Sequence, residues 1–225
     1  MSYGTLYIVS TPIGNLADFT FRAVDTLKSV DLIAAEDSRV SGVLLKHYEI
    51  KTPMLAYHDH NKEQATPGLL RKLEKGDDLA LISDAGTPLI SDPGFYLVRA
   101  AIREGVQVVP IPGPSAMLAA LVAAGLPSDR FTFEGFLPRK KGRQTRMKIL
   151  AEDPRTLILY ESPHRISRTL RDIAEYMGDR QVVIGREITK KFEEFIRGSV
   201  SEIREQLSSR SIKGEVVILI GGKKR

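Results

Sequence analysis

The chain contains no cysteine, which excludes disulfide bonds, thiolate zinc sites and cysteine nucleophiles at once. Its four histidines are scattered and offer no HExxH or similar metal-binding spacing. No apolar run approaches the roughly 18 residues needed to span a bilayer. The amino terminus also lacks the basic, apolar and small-residue succession of a secretory signal. These absences give the expectation of a cytoplasmic protein with no membrane partner. Its chemistry must work through carboxylates, hydroxyls, cationic side chains and backbone amides, without a thiol or a tightly held metal.

What is present is ordinary in bulk and uneven in detail. At 225 residues, 42% hydrophobic and 27% charged, the chain is long enough for one large or two small α/β domains. Residues 1–125 carry 11 basic and 14 acidic side chains, net −3, whereas residues 126–225 carry 22 and 14, net +8. The densest basic cluster is Arg139, Lys140, Lys141, Arg143, Arg146 and Lys148, with no acid among them. Such a block in a loop between a strand and a helix reads as a contact for phosphates, since each neutralised phosphate releases counterions. The short tail Lys223, Lys224, Arg225 reads as a frayed end.

Short apolar runs bounded by turn residues mark strands at 5–10, 31–35, 54–57, 78–83 and 107–111. Helical patterns lie between and after them at 21–29, 40–48, 63–75, 96–104 and 115–124. Regular alternation of this kind builds a mostly parallel sheet with helices on both faces. Residues 125–129, Gly-Leu-Pro-Ser-Asp, look like a linker, and the charge balance changes sign there. Beyond it, strands are expected at 131–136, 156–161, 181–187, 193–199 and 215–220, with helices at 144–152, 164–177 and 201–207. The adjacent strands at 181 and 193 imply antiparallel pairing. The expected architecture is two α/β domains, 1–124 and 125–225, with a cleft between them as a favoured binding place.

Three loops follow strands of the first half and share one sheet edge: TPIGNLAD at 11–18, SDAGTPLISDPG at 83–94 and PIPGPSA at 110–116. The first has one glycine where a dinucleotide fingerprint needs three, and no GxxxxGK[ST] loop occurs anywhere. The second carries two Asp-containing turns and is made stiff by its glycines and prolines. The third leads into a helix whose first backbone amides are free for a ligand or a cap. AEDSR at 35–39 ends a strand of the first half, YESPHR at 160–165 ends one of the second, and REITKKFEE at 186–194 is a strongly charged turn.

Taken in order, YIVSTPIGNLADFT, AAEDSR, SDAGTPLISDPG, PGPSA, GFLPRKKGR, YESPHR and REITKKFEE resemble the tetrapyrrole methylase superfamily. They resemble more closely its ribosomal RNA branch, the small-subunit (16S) rRNA (cytidine-2′-O)-methyltransferases. The likeness runs from Thr5 to about Gly221. It implies S-adenosyl-L-methionine as methyl donor, a two-domain α/β fold with the donor in the interdomain cleft, small-subunit ribosomal RNA as substrate in place of DNA, and a homodimer. The glycine-rich GxGxGD loop of tetrapyrrole-modifying members is replaced here by STPIGN, and their GGDP-type loop by SDAGTP, which turns the expectation from a macrocycle toward RNA.

Carried over position by position, the resemblance implies donor contacts at Ile13, at Ser83, Asp84, Ala85 and Gly86, and at Ser115 and Ala116. On the second domain it implies Tyr160, Glu161 and Thr189. A ribose hydroxyl is a weak acid, so a base or a cation that stabilises the developing alkoxide helps the transfer. Glu36, Asp37, Arg39 and Lys190 are the candidates for these roles, and Arg139, Lys140, Lys141 and Arg143 for RNA binding. Two other readings stay open: a methyltransferase for a tetrapyrrole precursor or a protein side chain, and a non-catalytic RNA-binding factor in ribosome assembly.

Overall fold

A computed structural model describes residues 3–223; of the basic tail, Lys224 and Arg225 lie outside the described residues. Lys223 is held, its amide donating to the Asp153 carbonyl (2.8 Å) and its ammonium pairing with Glu152. The chain divides into two compact α/β units, Met1–Ser115 and Ala116–Arg225.

The first unit runs β1 (Thr5–Val9), α1 (Phe21–Ser29), β2 (Leu32–Ala35), α2 (Ser38–His47), β3 (Met54–Ala56), α3 (Lys62–Glu74), β4 (Leu79–Ile82), α4 (Phe95–Arg103) and β5 (Gln107–Ile111). All strand pairs are parallel, in the order β3-β2-β4-β1-β5. Successive strand side chains point to opposite faces, and here both faces are apolar. Val9, Ile33, Ala35, Ala80 and Ile82 pack with Ala23 and Leu27 of α1 and Leu44 and Leu45 of α2. Leu6, Ala34, Leu79 and Leu81 pack with Leu69 and Leu73 of α3 and Leu97 and Ala101 of α4. The chain therefore leaves β1 and β2 toward one face and β4 toward the other. The carboxyl end of β4 lies between two strands whose helices go the opposite way. That divergence opens the crevice in which open α/β sheets bind ligands.

The second unit runs α5 (Ala116–Ala124), β6 (Phe131–Phe136), α6 (Arg143–Ala151), β7 (Thr156–Glu161), α7 (Ile166–Met177), β8 (Gln181–Arg186), β9 (Glu194–Ser199), α8 (Val200–Gln206) and β10 (Val216–Ile220). Its sheet order is β6-β7-β10-β8-β9, parallel only between β6 and β7. The expected antiparallel pairing of β8 with β9 is present. Leu157, Leu159, Val182, Ile184 and Ile218 meet Met147, Leu170, Ile173 and Ile203 of α6, α7 and α8 on one side. Helix α5 packs on β10 and β8. That packing is why the division falls after Ser115 and not after Ala124: α5 is charge-free and covers the sheet of the second unit.

Candidate functional site

Three loops meet at the carboxyl edge of the first sheet, and the backbone ties them together. Thr11 and Gly86 exchange both amide bonds across the β1 and β4 loops (2.8 and 3.0 Å), and Thr11 Oγ1 also donates to the Ser83 carbonyl (3.1 Å). Gly86 sits at φ +82°, and a Cβ there would stand 3.3 Å from Ile13 Cγ2, so glycine is required for this approach. Thr87 Oγ1 shares a hydrogen bond with Ser10 Oγ (3.0 Å) and donates to the Pro114 carbonyl (3.1 Å), joining the third loop. Ser115 then directly precedes α5, whose first-turn amides have no intrahelical acceptor. Ile13 and Ser83 are buried, Asp84 and Ala85 are exposed, and Ser115 and Ala116 are half-buried.

The β2 loop is joined to the same edge. Asp37 N–H donates to Asp84 Oδ1 (3.0 Å), and Asp84 N–H donates in return to Glu36 Oε2 (3.4 Å). Burial raises the Glu36 carboxyl above its ordinary value, with Asp84, Asp59 and Asp37 adding repulsion. Partial burial also raises Asp84. Asp37 behaves oppositely: its bonds to the Arg39 guanidinium, at 2.6 and 3.1 Å, bring it down to about 2. Asp37 also caps α2 by accepting the Arg39 amide (2.9 Å). Of the two carboxylates, Glu36 is thus the better proton acceptor, and Asp37 and Arg39 neutralise each other.

Two residues at this edge escaped the sequence reading. Asp92 lies in the second Asp-containing turn of the 83–94 loop. Burial, Glu36 and Asp84 push its carboxyl up to about 6 against a hydrogen bond from Ser83. His58 follows β3, where Tyr57 N–H donates to the Ala35 carbonyl (2.7 Å). The His58 Nδ1 atom is buried with no partner among the described residues, and its ring lies 5.9 Å from that of His60. The triplet His58-Asp59-His60 soon after an apolar strand is the signal that marks it.

In the second unit the candidates divide. Thr189 occupies a left-handed turn (φ +69°), donates its amide to Glu193 (2.6 Å) and buries a hydroxyl that has no partner among the described residues. Tyr160, near the end of β7, stacks edge-on with Phe133 and Phe136. Lys190 is bound to Glu187 (3.2 Å) and Glu215 (2.9 Å). Burial works against its charge, yet the two carboxylates outweigh that and raise its pKa, so it is a fixed cation.

Glu161 and Arg143 differ from expectation. Glu161 is buried, with Oε1 accepting from Ser162 N–H (2.8 Å) and Arg165 Nε (2.6 Å), and Oε2 accepting from Thr169 Oγ1 (2.6 Å). Both oxygens of this buried carboxylate are bonded within the second unit. Arg143 is 3% exposed and bonded to Asp172 (2.6 Å), Thr169 (2.7 Å) and the Pro138 carbonyl (3.3 Å). It is a buried tie, unavailable to RNA. Arg139, Lys140 and Lys141 are exposed as expected, whereas Arg146 forks onto Glu134.

This arrangement, a parallel sheet whose switch-point loops are knitted into a glycine-tight cradle beside a raised carboxylate, defines an α/β fold with a candidate ligand site at the carboxyl edge of its first sheet. Residues 5–204 match the family described as Tetrapyrrole (Corrin/Porphyrin) Methylases, and the chain belongs to that family. Among its relatives, it is 55% identical over 224 residues to the ribosomal RNA small subunit methyltransferase I of Pasteurella multocida, covering 98% of this chain and 80% of the relative. The protein of that name from Synechocystis is 50% identical, covering 97% and 79%. Uroporphyrin-III C-methyl transferase from Thermus thermophilus, solved with S-adenyl homocysteine, shares the fold at TM-score 0.68 and 19% identity, covering 97% of each chain.

Proposed function

We infer that this chain is an S-adenosyl-L-methionine-dependent methyltransferase of small-subunit (16S) ribosomal RNA, acting on the 2′-hydroxyl of a cytidine ribose. Family membership and relatives at 50–55% identity that carry the methyltransferase name support the reaction class and the RNA. The structural observation that carries the reading is the cross-linked edge formed by the β1, β2 and β4 loops. The residues there fit the donor: a close backbone approach at Gly86, free amides at the start of α5, and carboxylates suited to a cationic ligand. Within the second unit, Thr189 buries a hydroxyl with no partner among the described residues.

The donor supplies an activated sulfonium methyl, so the protein's task is chiefly positioning. Ile13, Ser83 to Gly86 and Ser115 are the donor contacts proposed in the first unit; Ala116, Tyr160 and Thr189 are those proposed in the second, each unit taken by itself. Glu36 takes the proton from the ribose hydroxyl as the oxygen attacks. Arg39 and Lys190 are the candidate cations for phosphate, each already engaged by carboxylates of its own unit. Arg139, Lys140 and Lys141 bind phosphate. A 2′-hydroxyl target makes the partner RNA and not DNA. Among the described residues no helix is long and apolar enough to cross a membrane, and the reading sets the reaction on ribosomal subunits in the cytoplasm.

The test incubates the protein with labelled donor and small subunits lacking the modification, then locates the methyl group by nuclease digestion and mass spectrometry. Wild-type protein is expected to label one cytidine ribose, and Glu36→Gln to lose turnover by about 100-fold or more while binding donor normally. Methyl on a base, or full activity of Glu36→Gln, overturns the assignment.

A further inference from the structure

Phe133 and Phe136 are three residues apart in β6, and in an unbroken strand they would point to opposite faces. The register against β7 shifts between Phe133 and Gly135, and Gly135 adopts φ +61°. A bulge of this kind inserts one residue and re-aims the side chains beyond it. Both rings consequently meet Tyr160 edge-on, Phe133 at 5.0 Å and 72°, Phe136 at 5.7 Å and 64°. Phe133 and Tyr160 are half-buried, whereas Phe136 is 56% exposed. The bulge thus presents a phenyl ring to solvent with an aromatic pair bracing it from the side.

The next segment of chain is held by its backbone. Arg165 Nη1 donates to the Leu137 carbonyl (3.5 Å), Arg143 Nη1 to Pro138 (3.3 Å) and Arg168 Nη1 to Arg139 (3.1 Å). Three consecutive carbonyls are therefore clamped by three arginines. Arg143 is itself fixed by Asp172 and Thr169, and Arg165 by Glu161. Beside these carbonyls stand the exposed Arg139, Lys140 and Lys141, whose side chains form no ion pair among the described residues. Three arginines, of which Arg143 is buried, are thus bound to the backbone, while the neighbouring Arg139, Lys140 and Lys141 stay exposed.

We propose that Phe136 is a stacking platform for one unstacked nucleobase of a single-stranded RNA segment, with Arg139, Lys140 and Lys141 holding the flanking phosphates. An anion alone requires no flat ring, and here an exposed ring, Phe136, and exposed cations, Arg139 to Lys141, lie within one short segment of chain. A nucleotide presents both a π-face and a charge, which is the pairing found here. The bulge and the arginine clamps act as positioning elements, since they orient the ring and fix the loop. The proposal rests on the assignment of RNA as substrate and names the substrate form that the second unit takes, a splayed single strand.

The test measures binding of the full chain to a labelled, unstructured pyrimidine oligoribonucleotide across a salt series. Phe136→Leu is expected to weaken binding by about 10- to 100-fold with the salt slope unchanged. Phe136→Tyr, which keeps the ring, retains wild-type affinity. Lys140→Ala with Lys141→Ala is expected to reduce the slope of log K against log salt by about 1.4. Wild-type affinity in Phe136→Leu, or equal losses in the Leu and Tyr variants, overturns the stacking role. An acidic peptide competing as well as the RNA reassigns the surface to a protein partner and overturns it too. Methyl transfer to small subunits by the wild type is measured in parallel. If that succeeds while Phe136→Leu is silent, only this inference fails; if it fails, the RNA reading fails first.

Discussion

The carboxylates at the edge of the first sheet share one crevice yet are set apart by their partners. Asp37 is held down to about 2 by Arg39, while burial and neighbouring acids bring Asp92 up to about 6. For Asp92 the folded state binds its proton more tightly than the unfolded chain does. Its contribution to stability is therefore fullest below about pH 4 and declines as the pH rises through about 6. Asp92→Asn mimics the protonated acid. We expect the variant to be more stable than wild type at pH 7.5 by about 1 kcal/mol, after discounting for partial exposure, with the gap closing toward pH 4. Urea denaturation at the two pH values checks this, and a constant gap would show that Asp92 does not titrate differently on folding.

At the scale of elements, the strands and helices were legible because apolar period and turn residues agree throughout: β5, β6 and β7 begin and end where the pattern places them. The loops were legible as a set only through their order. What hid was polarity turned inward. Arg143 sat in a run of six basic residues and read as exposed, yet it shares the spacing of Met147 and Leu150 along the buried face of α6. Glu161 likewise continues the alternation of Leu157 and Leu159 into the core. Each had a periodic signal that its charge outweighed. The Thr11–Gly86 bridge could not be seen, because pairing of two distant loops leaves no local pattern. Gly86→Ala tests that link: a side chain at φ +82° and 3.3 Å from Ile13 is expected to cost about 1–2 kcal/mol. The same variant should weaken donor binding more than tenfold by calorimetry. Unchanged donor affinity would detach the bridge from the donor site.

The whole molecule poses one further physical problem in α5. Its nine residues, Ala116 to Ala124, carry no charge, and in a chain that is 27% charged such a helix belongs on an apolar surface at every side. One side is satisfied, since Ala120, Leu121 and Ala124 are buried and α5 packs on β10 and β8. On the other side Leu118 is 48% exposed and Val122 81% exposed. The homodimer expected from the family resemblance predicts that this face is buried between two copies of the chain. In a twofold interface each residue meets the same patch of its partner, so a substitution counts twice and a new charge faces its own copy. Leu118→Glu together with Val122→Glu should therefore leave the fold intact, because neither side chain is in the core, while raising the dimer dissociation constant by about 100-fold or more. Sedimentation velocity at micromolar concentration checks this, with circular dichroism as the control for folding. A variant that still sediments as a dimer would place the interface elsewhere and leave the apolar face of α5 to another partner.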